Sequence, residues 1–240
     1  MSLVRTVSDT KRQFYAHHTR PINSIYRRVV EELMVEMHLL SVNANFRYDP
    51  VYALGTVTSF DRFMQGYRPE RDLPSIFEAL CRAIEGDAQK YRQDAERLKT
   101  LASRLSIEEF LSWSNSLSSR EGESELYECF KEIAFNDKFK YSRLFAIGLY
   151  SLLEQIDGEA IKDEEKCNEI LDKLCETLKL PTEKVQKDLE LYRSNLEKME
   201  QARAALEDIL QADRKQRQQA LLEKNKPEDA SGEKDGASSS

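Results

Sequence analysis

An all-α fold is what this sequence predicts, and three observations carry the prediction. Glycine and proline number only 8 and 6 in 240 residues, too few for the many turns of a β-sandwich or barrel. Apolar residues recur at steps of three and four along most of the chain, and no segment sustains the alternation of a half-buried strand. Charged residues at 33% beside hydrophobics at 40% suit helices with one dry and one wet face. A chain of this length can bury one full helical core, or a core with an appendage.

The elements follow in order. Ile22, Ile25, Tyr26, Val29, Val30, Leu33, Met34 and Met37 recur at helical spacing, so residues 21–40 form the clearest amphipathic helix. The next segment, 46–67 (FRYDPVYALGTVTSFDRFMQGY), concentrates Phe46, Tyr48, Tyr52, Phe60, Phe63 and Tyr67 in a chain only 9% aromatic. It also carries full helix punctuation. Asp49 can cap with its carboxylate, and Pro50 stands at the first helical position, where its missing N–H costs nothing. Gly66 stands where a left-handed residue ends a helix. Residues 49–66 therefore read as a core helix, with Tyr52, Val57, Phe60 and Met64 buried against the 21–40 helix.

Phe77, Leu80, Cys81 and Ile84 mark a helix after Asp72 and Pro74. Tyr91, Ala95, Leu98, Leu101 and Leu105 give another stripe beyond Gly86. Ser106 and Glu109 match a capping box for a short helix holding Phe110, Leu111 and Trp113. The polar run 114–124 (SNSLSSREGES) reads as the best internal loop. Leu126, Phe130 and Ile133 mark a helix ending near Asn136. Tyr141, Leu144, Phe145, Gly148, Leu149 and Leu152 mark the most hydrophobic one, expected at the centre of a bundle. A last stripe, Ile170, Leu171, Leu174 and Leu178, stops before Pro181.

Beyond Pro181 the chain changes character. Thr182 can cap a helix that meets no glycine or proline until about Asn225. Val185, Leu189, Tyr192, Leu196 and Met199 fall at the alternating steps of a coiled-coil seam. The same frame then meets Arg203, Asp213 and Arg217, which weakens the seam and argues for a monomer or weak oligomer. Residues 226–240 are too polar to fold. The expected organisation is a helical bundle over 1–181, a long charged helix over 182–225 and a disordered tail over 226–240. Truncation after Pro181 is expected to leave the bundle folded.

Composition excludes several functions. The net charge of −7 and an isoelectric point near 5.3 speak against general nucleic-acid binding. Residues 1–48 carry seven Lys/Arg against four Asp/Glu, a balance of +3. Lys11, Arg12, Arg20, Arg27 and Arg28 could there meet anionic lipid or an acidic partner, although a solvated face explains them as well. The longest apolar run, 144–153, is about half of what a membrane helix needs, and the N-terminus resembles neither a signal nor a transit peptide. Any membrane association is expected to be peripheral.

Catalytic chemistry finds no foothold. Cys81, Cys129, Cys167 and Cys175 form no CxxC pair and read as buried reduced thiols. Glu31, Glu32, Glu36 and His38 invite comparison with bundle carboxylate metal sites, but a Glu-x-x-His motif needs an acid where Val35 stands. No phosphate-cradling loop or nucleophile elbow occurs. A serine or cysteine hydrolase built from distant residues stays open at this stage. No residue is assigned a catalytic, cofactor-binding or metal-ligating role.

The strings 6–40 (TVSDTKRQFYAHHTRPINSIYRRVVEELMVEMHLL), 46–67 and 67–81 (YRPERDLPSIFEALC) together resemble the thylakoid-formation family, the photosystem II biogenesis and repair proteins of cyanobacteria and chloroplasts. The resemblance runs from about Thr6 to Leu180 and is compositional beyond. It implies a cyanobacterial member on the cytoplasmic side of the thylakoid membrane. It also implies a non-catalytic scaffold that associates with FtsH-type proteases and photosystem II-related proteins. Two other readings are a pigment or cofactor carrier using the aromatic segment, and a ferritin-like metal protein. On the first reading the protein reaches thylakoids mainly through protein partners, with weak electrostatic help from its basic N-terminal residues.

Overall fold

The structure is a computed structural model that describes residues 5–115 and 125–224, without side-chain detail at 113–115, 125 and 220–224. The expected tail at 226–240 and most of the expected loop at 114–124 lie outside the described residues. Among those residues there are eleven α-helices and no strand. They are α1 (Val7–His17), α2 (Ser24–Ser41), α3 (Pro50–Phe63), α4 (Leu73–Ala83), α5 (Ala88–Ala102), α6 (Ile107–Asn115), α7 (Glu125–Ala134), α8 (Arg143–Ile156), α9 (Gly158–Lys162), α10 (Glu164–Leu178) and α11 (Thr182–Lys224). The fold is all-α, as the periodicity predicts.

Local signals explain most boundaries. The Asp49 side chain accepts from the Tyr52 N–H with Pro50 in the first turn, so α3 starts where its punctuation places it. It ends at Phe63, and Gly66 follows at φ 80°, the left-handed turn that glycine takes without strain. Ser106 and Glu109 form the reciprocal capping box of α6, at 2.9 and 3.2 Å. The helix expected over 21–40 begins instead at Ser24, because the Asn23 side chain caps it and leaves Pro21 outside. Two helices were not foreseen. Thr6 and Asp9 form a capping box for α1, and α9 is a five-residue turn opened by Asp157.

The chain divides into two compact units, one ending at Lys198 and one beginning at Met199. In the first, Val185, Leu189 and Tyr192 of α11 are all buried, so the packed unit extends well past Pro181. The described part of the second unit is helix, with Ile209 and Leu210 exposed at 59% and 49%.

At the centre of the first unit α3 packs on α8 and α5, and only marginally on α2. The reason lies in two glycines. A Cβ at Gly55 would fall 1.7 Å from the Leu144 carbonyl oxygen, and one at Gly148 would fall 1.9 Å from that of Val51. The two backbones therefore touch, each helix resting in the notch left by the other's missing side chain. Farther along, the Thr58 hydroxyl donates to Ser151 at 3.2 Å and Arg62 bridges to Glu154 at 2.6 Å. Both helices thus run in the same direction from this crossing.

Tyr52, Val57, Phe60 and Met64 are buried. Phe60 is 1% exposed, with its ring 5.0 Å from that of Phe77 and 5.8 Å from the Arg92 guanidinium. Phe60→Ala is expected to lower unfolding stability by about 3–5 kcal/mol through the cavity it leaves, measured by denaturant titration; an unchanged midpoint would place the ring outside the core.

Candidate interaction surface

The groups that suggested chemistry are spent on holding the fold. Glu31 takes an ion pair from Lys11 at 3.0 Å and a hydrogen bond from Tyr15. Glu32 pairs with Arg28, and Glu36 with Arg143. His38 is buried, with its Nδ1 2.8 Å from the Thr10 hydroxyl. The four candidate ligands of a metal site thus point at four different partners. Among the described residues no group of three or more His, Cys, Asp or Glu converges as metal ligands do.

One serine does meet a histidine. Ser75 Oγ lies 3.0 Å from Nδ1 of the buried His18. The other ring nitrogen has no hydrogen-bond partner, and the nearby Asp72 carboxylate is paired with Arg20 at 2.8 Å. A nucleophile needs a base that a third group orients, and here no group orients the ring. Burial lowers the pKa of both His18 and His38. It pushes the Cys81 thiol up to about 12 and Cys175 up to about 11. Inert, protonated thiols and neutral imidazoles are the result.

The aromatic segment is likewise occupied internally. Tyr52 meets the edges of Phe46, Tyr48 and Tyr91 at centroid distances of 4.9–6.1 Å, and Tyr67 meets Tyr26 at 5.2 Å. Asp94, buried beside this cluster, accepts from Tyr48, Lys90 and Arg97, each at 2.7 Å. These are packing and satisfied polar contacts.

One outward apolar stripe runs along α2 to its C-terminal cap. Val35, Leu39 and Val42 lie at steps of four and three on its outer face, exposed at 36%, 57% and 37%. An open groove of about 770 Å³ runs along this face, bounded by Arg27, Arg28, Glu32, Glu36 and Arg143. The inner stripe of α2 was legible from its period, whereas the outer one is visible only once the buried face is known. A second cleft of about 390 Å³ lies near the ends of α3 and α8, between Arg62, Lys99, Glu154 and Lys162. Lys11, Arg12, Arg20 and Arg28, the basic residues of the N-terminal segment, each hold an ion pair, so most of that positive charge is internally spent.

Comparison with known proteins decides the family. The sequence profile of the thylakoid formation protein matches residues 6–221. The chain belongs to that family. Protein Thf1 of Trichormus variabilis is 57% identical over 227 residues, covering 95% of this chain and 97% of the relative. Protein Thf1 of Gloeothece citriformis is 58% identical over 226 residues, 94% of this chain and all of the relative. The solved structure of Psb29 aligns with a TM-score of 0.78 at 47% identity, covering 89% of this chain and 98% of that one. The family pattern therefore extends through most of α11, beyond the Leu180 limit read from the sequence. A long charged helix offers few distinctive residues, and its resemblance is easily taken for composition. Membership of the family assigns the chain to thylakoid formation. Among the described residues no helix is long and apolar enough to cross a membrane.

Proposed function

We propose that this chain is a non-catalytic interaction protein that supports photosystem II biogenesis and repair and thylakoid organisation. It binds and stabilises FtsH-type protease complexes, acting peripherally from the cytoplasmic side as a monomer or weak oligomer. The observation that carries the reading is the apolar stripe Val35–Leu39–Val42 on a helix whose opposite face is fully engaged. An outward i, i+4, i+7 stripe, with Val35 and Leu39 lining an open groove, is what an amphipathic partner helix docks against. Stoichiometric binding stabilises the bound partner by mass action and needs no turnover. Similarity to a protein solved as Psb29 supports the photosystem setting; the protease partner rests on family resemblance.

Leu39→Asp tests it. The side chain is 57% exposed, so the melting temperature should hold, while recovery of protease and photosystem subunits with the tagged protein from illuminated membranes should fall at least tenfold, equivalent to about 1.4 kcal/mol. Undiminished recovery would move binding off this face. Visible absorbance and metal analysis of the purified protein check the pigment-carrier and ferritin-like readings, and blank results are expected.

A further inference from the structure

Between α7 and α8 the chain alternates aromatic and basic residues: Phe135, Lys138, Phe139, Lys140 and Tyr141. Three of its features are fixed. Asn136 ties the turn, its side chain accepting from the Lys138 N–H at 3.0 Å and its carbonyl from the Phe139 N–H at 2.9 Å. Phe139 turns inward onto Phe145, with ring centroids 5.0 Å apart. Tyr141 donates to Asp188 of α11 at 2.7 Å.

Phe135 faces the other way and is 59% exposed, as much as any large apolar side chain described. Beside it, Lys179 reaches over the ring at 5.7 Å, and Lys184 lies 5.2 Å over Tyr141. Lys138 and Lys140 are exposed in the same turn. Lys179 ends α10 in the left-handed conformation, φ 54°, where glycine or asparagine is usual. A strained position is thus occupied by a cation.

Several basic residues elsewhere are held in ion pairs. Lys11, Arg12, Arg20, Arg28, Arg62 and Arg143 are ion-paired. Lys138, Lys140, Lys179 and Lys184 have no ion pair with any described residue. The exposed acids next to them in sequence are Asp137, Glu176 and Glu183. Counting Asp188, which the Tyr141 hydroxyl holds, four acids stand against the four lysines, so the turn is set apart by its exposed, unpaired ammonium groups and not by a net positive charge.

We infer that this turn is a docking site for an anionic lipid bilayer, with Phe135 entering the headgroup region and the four lysines facing acidic headgroups. An acidic protein surface would satisfy the lysines but gives an outward phenylalanine nothing to enter. An interface that is apolar inside and anionic outside answers both. Acidic surface elsewhere does not forbid approach, since screening at physiological salt confines each charge to about 8 Å. The inference is independent of the protease partner, because its test contains no second protein.

The full chain is floated with vesicles of one part phosphatidylglycerol to two parts phosphatidylcholine, and with phosphatidylcholine vesicles alone. Binding is expected to the anionic vesicles only, and to weaken as salt is raised. Each lysine contributes a factor of about five near such a surface, so Lys138→Ala with Lys140→Ala should lower partitioning about 25-fold. Phe135→Ser should lower it about tenfold. All three positions are exposed, and unchanged melting confirms an intact fold. Failure to bind anionic vesicles, equal binding to neutral ones, or binding indifferent to the lysine pair would each overturn the assignment.

Discussion

Gly148→Ala is expected to destabilise the protein by about 4 kcal/mol or more, although alanine is the better helix former. Two effects oppose one another. Replacing a mid-helix glycine by alanine gains about 1 kcal/mol of intrinsic propensity. Against it stands a methyl placed 1.9 Å from the Val51 carbonyl oxygen, little more than half an ordinary contact distance. Because the obstacle is backbone, no rotamer change relieves it, and α3 and α8 must move apart. Typical overpacking costs about 1–3 kcal/mol where side chains can shift; a rigid backbone clash at the central crossing exceeds that range. Gly55→Ala, at 1.7 Å from the Leu144 carbonyl, should behave alike. Gly158→Ala is the control, since nothing lies within 4 Å of its added carbon. Denaturant unfolding of the three variants measures the contrast, and wild-type stability in Gly148→Ala would mean that the helices do not cross at these residues.

This crossing shows what the sequence could and could not disclose. Periodicity located α2, α4, α5, α7, α8 and α10, because a buried face repeats every three to four residues whatever it packs against. Capping chemistry located the starts of α3 and α6, since Asp49 and Ser106 act on their own next turn. Partner choice is a different kind of information. The aromatic helix was expected against α2, but it lies on α8 and α5 because Gly55 and Gly148 permit an approach no other pairing offers. Two glycines in the middle of apolar helices, each lowering helix propensity, were the available signal. The outward stripe Val35–Leu39–Val42 and the cluster around Phe135 were beyond reach for a related reason. An apolar residue off the main stripe reads as noise until the surface is known. The distance of Lys179 from Phe135 depends on how α7 and α10 come together, which no local pattern encodes.

Two truncations should separate what α11 does for the fold from what it does for partners. A chain ending after Pro181 loses Val185, Leu189 and Tyr192, which are at most 2% exposed. It also loses the acceptor of the Tyr141 hydroxyl, the Tyr192 partner of Arg62 at 3.4 Å and the Gln186–Asp172 bond at 2.8 Å. Each large buried side chain removed costs about 2–5 kcal/mol, and the three together rival the whole stability of about 5–15 kcal/mol that a domain possesses. The expectation drawn from the sequence, that the bundle stays folded without α11, is thereby reversed, and that chain should show no cooperative thermal transition. Ending the chain after Lys198 removes only residues of the second unit. Basic and acidic residues from 182 onward are nearly balanced, 11 against 13, and pairs such as Arg203 with Glu200 at 3.8 Å add a few tenths of a kcal/mol each. The shorter loss should therefore leave the melting temperature within a few degrees of the full chain, while recovery of the protease or photosystem partner falls. A folded, partner-competent chain ending at Pro181 would show that the packed first turns of α11 are dispensable. Loss of cooperative melting in the chain ending at Lys198 would instead show that the second unit is structural.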